Sequence, residues 1–148
     1  HIATRRTLRE SANRDNALGV VLKIETQQAC DQLPALLLAA LNGAPTAVMI
    51  ARGDLAVEVG FERLADRQEQ ILSVARAAHV PAIWATQVLD RLSKKGTPTR
   101  AEVTDAALGA RAACVMLNKG SYVAESVKLL ATILRRAEKS PRRSPPYF

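Results

Sequence analysis

Apolar residues gather in four short β-prone runs: Gly19–Glu25 (GVVLKIE), Thr46–Arg52 (TAVMIAR), Pro81–Thr86 (PAIWAT) and Ala113–Asn118 (ACVMLN). Each is bounded by Gly, Pro or polar residues, the pattern of a strand buried on both faces. Between them the apolar spacing turns helical. Ala29–Leu41 places Leu33, Leu36, Leu37 and Leu41 on one stripe. Phe61–Ala78 does the same with Leu64, Ile71, Leu72 and Ala75, its charges lying mostly elsewhere. Arg100–Ala110 and Val123–Ala137 continue the series. The strand ends fall near residues 25, 54, 86 and 118, so each strand and helix together take about 30 residues. Four consecutive βα units over buried strands predict an α/β fold with parallel strands and right-handed crossovers. Pattern alone leaves two architectures open: a doubly wound sheet, or part of a (β/α)₈ TIM barrel. A complete barrel takes about 250 residues, so this chain would supply half of one.

Composition narrows the class. Of the 148 residues, 48% are hydrophobic and only 3% aromatic, so Ala, Leu, Val and Ile must build the core. The net charge of +7 sits mainly at the two ends, in Arg5, Arg6, Arg9 and Arg14 and in Lys139, Arg142 and Arg143. With almost no aromatic interleaving and no recognition motif, this basicity does not predict nucleic-acid binding. The chain therefore divides into a polar segment 1–18, a folded region 19–138, and a basic Pro-rich tail 139–148 expected to be disordered. Cys30 and Cys114 stand in neither a disulfide framework nor a metal-ligand spacing, and each reads as a small buried residue. No apolar run reaches the about 18 residues that a membrane span needs. A cytoplasmic protein is expected. The first residue is His1 rather than Met, as processing or a boundary within a longer polypeptide would give.

The chemistry clusters at the carboxyl ends of the strands, where parallel α/β folds place their sites. The first run ends Lys23-Ile24-Glu25, and period-two alternation puts Lys23 and Glu25 on one face. The second ends Ala51-Arg52-Gly53-Asp54, the third Trp84-Ala85-Thr86-Gln87. Charged residues inside apolar strands are costly unless paired or functional. One reading is a structural Lys23–Glu25 ion pair. The other joins Glu25 and Asp54 as two carboxylates gripping a hard cation, with an ammonium nearby to neutralise a developing oxyanion. Trp84 shares a face with Thr86 and either lines a pocket or packs in the core. His79 reads as a surface residue in a turn, Arg100, Glu102 and Asp105 as structural, and Lys94 and Lys95 as solvated loop charges.

Four segments in order, VLKIET, VMIARGDLAVEV, WATQVLD and KKGTPTRAEVTDAA, resemble the signature segments of the pyruvate kinases, over about Gly19 to Glu138. The resemblance implies the latter four βα units of that family's catalytic barrel, and transfer of phosphate from phosphoenolpyruvate to ADP, giving pyruvate and ATP. It assigns Lys23 to stabilising the enolate oxygen, and Glu25 and Asp54 to a divalent cation, Mg²⁺ or Mn²⁺. Arg52, Gly53 and Asp54 match the turn whose backbone amides receive the substrate carboxylate. Thr86 matches the threonine that contacts substrate near the proton-transfer face of the enolate. K⁺ belongs to a complete enzyme of the family, but its family ligands are absent here. The alternatives are a metal-dependent aldolase or lyase acting on pyruvate enolates, and a non-enzymatic interaction module or remnant.

The likeness breaks in two places. Where the family carries a Ser-Gly-Glu-Thr loop after the fourth of these strands, this chain runs Asn118-Lys119-Gly120-Ser121-Tyr122 straight towards its last helix. The family's first four barrel strands, lid domain and C-terminal regulatory domain have no counterpart in the sequence. A half-barrel leaves sheet edges and its inward face open. The expectation is a homo-oligomer, or one part of a longer chain, inactive alone.

Overall fold

The computed structural model describes residues 19–139. The expectations for segment 1–18 and for the tail beyond Lys139 lie outside these residues. Four strands alternate with helices: β1 (Val20–Ile24), β2 (Thr46–Ala51), β3 (Ala82–Val88) and β4 (Cys114–Leu117). Between β1 and β2 come α1 (Gln27–Asp31) and α2 (Leu33–Leu41); between β2 and β3 come α3 (Arg52–Val59) and α4 (Phe61–Ala77). Then follow α5 (Asp90–Lys95), α6 (Arg100–Leu108) with a 3₁₀ turn at Gly109–Arg111, and after β4 the helix α7 (Val123–Lys139).

The strand order is β1-β2-β3-β4, and β1–β2 and β2–β3 pair in parallel. This order decides between the two architectures the pattern left open. A doubly wound sheet reverses its strand order at a switch point, whereas an arc of a barrel runs in sequence. The chain is built as part of an α/β barrel.

The folded region divides into two compact units, residues 19–85 with Ala112–Cys114, and Thr86–Arg111 with residues 115–139. In the first, the register matches Leu22 to Val48 to Ala82 and Ile24 to Ile50 to Trp84. These six side chains share one face and are all buried. Helices α2, α3 and α4 pack against β2, contributing Leu33, Leu37, Leu55, Val59, Ile71 and Leu72 to the same core. On the opposite face Val21 and Lys23 are exposed, and Ala47, Met49 and Ile83 half-buried. The predicted helix over Ala29–Leu41 is two helices. Thr26 caps the first, its Oγ1 accepting from the Ala29 amide at 3.1 Å, and Pro34 stands in the opening turn of the second, where it has no helical amide to lose.

In the second unit α5 and α6 pack against α7. The Ser93 and Ser126 hydroxyls meet at 2.9 Å, both buried. Gly120 lies so close that a Cβ there would stand 2.1 Å from the Ser93 carbonyl oxygen. Thr99 and Glu102 form a capping box at the start of α6, and Glu102 also accepts from the Arg91 amide at 2.5 Å. Glu102 is structural, as expected. No helix among the described residues is long and apolar enough to cross a membrane.

Candidate active site

The end of β1 and the start of α3 bring three charged side chains together. Glu25 follows directly on β1, and the Lys23 ammonium forms a salt bridge with its carboxylate. Asp54 enters from the first turn of α3, its Oδ2 3.4 Å from Lys23 Nζ. A parallel neighbour delivers it there: Lys23 is in register with Met49 and Ile24 with Ile50, so β2 ends beside β1 and turns into helix next to Lys23. The Lys23 ammonium is held above its ordinary value of 10.5, first by the hydrogen bond it donates to Glu25 and then, against some desolvation, by Asp54. It is a cation at neutral pH. The ion pair of the first reading is present, and it includes Asp54 as well as Glu25.

All three groups reach water, with side-chain exposures of 50% for Lys23, 38% for Glu25 and 66% for Asp54. No group of three or more His, Cys, Asp and Glu stands together among the described residues. Two carboxylates open to solvent still fit the chemistry of Mg²⁺, which keeps several waters and takes one or two protein carboxylates. The donor set fits a hard cation and no soft one.

Arg52 lies in the same turn but its side chain is buried. Nε donates to the Ala85 carbonyl at 2.9 Å, and the guanidinium carbon lies 4.6 Å from the centre of the Trp84 ring. Trp84 is therefore in the core, one of the two outcomes its alternation allowed. Gly53, half-buried, occupies the first turn of α3 between them. The structure joins Lys23, Glu25, Arg52, Gly53 and Asp54 in the first unit. Thr86 stands in the second unit, where β3 runs on past it to Val88. Its φ of 67° is left-handed, as are Gln87 at 56° and Leu89 at 48°. For a β-branched residue this is a strained backbone, of the kind that collects at functional sites.

Sequence reasoning missed one cluster. In the second unit Asn118 Nδ2 donates to the Asp90 carboxylate at 2.5 Å, and Lys94 pairs with the same carboxylate at 2.9 Å. Asn118, foremost, and Lys94 hold the Asp90 carboxyl below its ordinary value. Lys94 is solvent-exposed, as expected, but it stands on α5 with a partner rather than in a loop. The available signal was that Asn118 closes the fourth apolar run and Asp90 stands shortly after the third. A further correction concerns Cys114, which is exposed while Cys30 is buried as expected. His79 is exposed, as expected.

The family model described as pyruvate kinase, barrel domain, matches residues 2–127. A pyruvate kinase of Agrobacterium vitis is 38% identical over 128 residues, covering 82% of this chain and 26% of its own length. Plastidial pyruvate kinase 3 of Arabidopsis thaliana is 36% identical, with 83% and 22% covered. A pyruvate kinase of Mycobacterium tuberculosis is 35% identical, with 86% and 27% covered. The chain spans about a quarter of the length of the curated relatives it matches. It belongs to the pyruvate kinase family and carries part of that family's barrel domain.

Proposed function

We propose that this chain supplies the cation-binding and enolate-stabilising part of a pyruvate kinase active site, acting on phosphoenolpyruvate and ADP to give pyruvate and ATP. The observation that carries the reading is the convergence of Glu25 and Asp54 on the Lys23 ammonium at the ends of adjacent strands. Phosphoryl transfer needs little covalent help from the protein; it needs charge placed in line with developing negative oxygens. Glu25 and Asp54 hold Mg²⁺ or Mn²⁺, which when bound supplies positive charge to the phosphoryl and enolate oxygens. Lys23, fixed in its protonated form, stabilises the enolate oxygen and is too weak a base to remove a proton. The Gly53 and Asp54 amides lie in the first turn of α3, at the positive end of the helix dipole, which suits the substrate carboxylate, and Arg52 belongs to the same turn. The Thr86 hydroxyl contacts substrate near the face of the enolate that takes up a proton.

The monovalent-cation role of the family falls to residues beyond this set. The same proposal has the chain working in a homo-oligomer or as part of a longer polypeptide, in the cytoplasm, and falling short of turnover alone, because groups that act as a unit lose most of their rate when divided.

The test is Mn²⁺ binding to the whole chain, with and without oxalate as an enolpyruvate mimic, beside Glu25→Gln and Asp54→Asn. Wild type is expected to bind Mn²⁺ more tightly with oxalate present. Each variant should lose at least the roughly 10–100-fold that outer-shell partners of a metal command. A folded wild type without oxalate-enhanced binding, or variants that bind equally well, overturns the reading.

A further inference from the structure

Arg52 is a charged residue only 8% exposed, at the point where β2 becomes α3. Burying a guanidinium is expensive unless its charge and its donors are met. Two of its contacts reach the neighbouring strand: Nε donates to the Ala85 carbonyl at 2.9 Å, and the guanidinium lies over the Trp84 ring at 4.6 Å. Ala85 and Trp84 are the register partners of Ala51 and Ile50, the last two residues of β2. Stacking and donation together fix the orientation of a planar group, which neither a lysine nor an apolar side chain could do. The turn needs such fixing, because α3 has Ala51 at its N-cap and no side-chain cap hydrogen bond.

The tryptophan points the same way. It is the chain's one Trp, it is 2% exposed, and its indole Nε1 finds no hydrogen-bond partner among the described residues. An orphaned buried N–H is costly. What this side chain contributes is its ring face, and Arg52 lies on it.

We propose that Arg52 is a positioning residue, which clamps the β2–α3 turn onto β3 so that Asp54, two residues on, stands opposite Glu25 across Lys23. The importance of that geometry rests on reading Glu25 and Asp54 as cation ligands, so the test has two separate readouts. The first is amide hydrogen exchange over residues 51–56, compared with β1. The second is Mn²⁺ affinity of the whole chain. In Arg52→Met, exchange over 51–56 rises while β1 is unchanged, and Mn²⁺ binds about tenfold more weakly, the effect of losing an outer-shell support. Coulomb's law alone predicts the opposite sign, because removing a positive charge near a cation site should tighten cation binding. Arg52→Lys keeps the charge but loses the planar stack, and it should move both readouts in the same direction as Met. If Arg52→Met does not fold, Arg52→Lys and Trp84→Leu, which removes the ring face, carry the test. Unchanged exchange over 51–56, or tighter Mn²⁺ binding in the variants, overturns the clamp. Faster exchange in a chain whose wild type binds no Mn²⁺ upholds the clamp and overturns the cation reading instead.

Discussion

At the scale of single residues, Lys23 does two opposed things. Its ammonium neutralises Glu25 and Asp54, and in doing so competes with any cation they would hold. Lys23→Met is therefore expected to tighten Mn²⁺ binding, by a factor kept modest by solvent screening, while abolishing enolate stabilisation in an assembled enzyme. A Mn²⁺ titration of that variant checks the sign; weaker binding would mean that Lys23 organises the carboxylates rather than competing for them. The pH dependence follows from the raised Lys23 value. A group whose folded-state value is raised stabilises the fold fully below its ordinary value, here 10.5, and loses that contribution as pH climbs through the higher folded value. The Lys23 half of the salt bridge is thus charged across the physiological range, and on the alkaline side it is lost only at high pH. The two cysteines differ as sharply. Burial pushes the Cys30 thiol up, and Cys114 is exposed. A thiol reagent should label one cysteine per folded chain, at Cys114, and the second only after denaturant, as peptide mapping would show.

At the scale of elements, caps and loops carry the next predictions. Thr99→Ala removes a capping box whose Oγ1 accepts from the Glu102 amide at 3.2 Å. The expected loss is about 1 kcal/mol, measured as a lower midpoint in urea. The loop after β4 depends on Asn118, whose hydrogen bond is the largest cause of the lowered Asp90 value. In Asn118→Ala the Asp90 carboxyl should titrate higher by NMR. Since a depressed carboxylate stabilises above its ordinary value of 3.8 and loses that contribution as pH falls through the folded value, the variant should also lose part of its pH-dependent stability on acidification. Much of this level was legible beforehand. Val48, Ile50, Leu22 and Ile24 sit in short apolar runs that admit little but buried strand, and Ile71, Leu72 and Ala75 mark a helix by spacing alone. Arg52–Val59 escaped as a helix because Gly53, Val57 and Val59 are indifferent helix formers and the segment opens without a cap. Asp90–Lys95 escaped because six residues are too few for a periodic signal and its N-cap is Leu89 in a left-handed conformation. Asp54 and Glu25 were legible because carboxylates at strand ends are conspicuous. The Arg52–Trp84 stack was not, since contact between side chains on adjacent strands depends on register, which runs of apolar residues do not encode.

At the scale of the whole molecule, β1 is one of the two edges of the sheet among the described residues. It ends the strand order, pairing with β2, and beside it Val21 is 49% exposed on the face that also carries half-buried Met49 and Ile83. An open parallel edge next to apolar surface is a template for another strand, and proteins ordinarily cover it. In the relatives, of which this chain spans about a quarter, there is ample chain to do so. The isolated chain can take such a strand from a second copy of itself. It should therefore associate with rising concentration in sedimentation equilibrium, and Val21→Glu, which puts a charge on that face without touching Leu22 or Ile24 behind it, should shift the distribution towards monomer. The same variant should keep its far-UV spectrum, since the buried face is unaltered. If the wild type stays monomeric at every accessible concentration, the exposed face of β1 is tolerated by water, and the barrel arc is stable without closure.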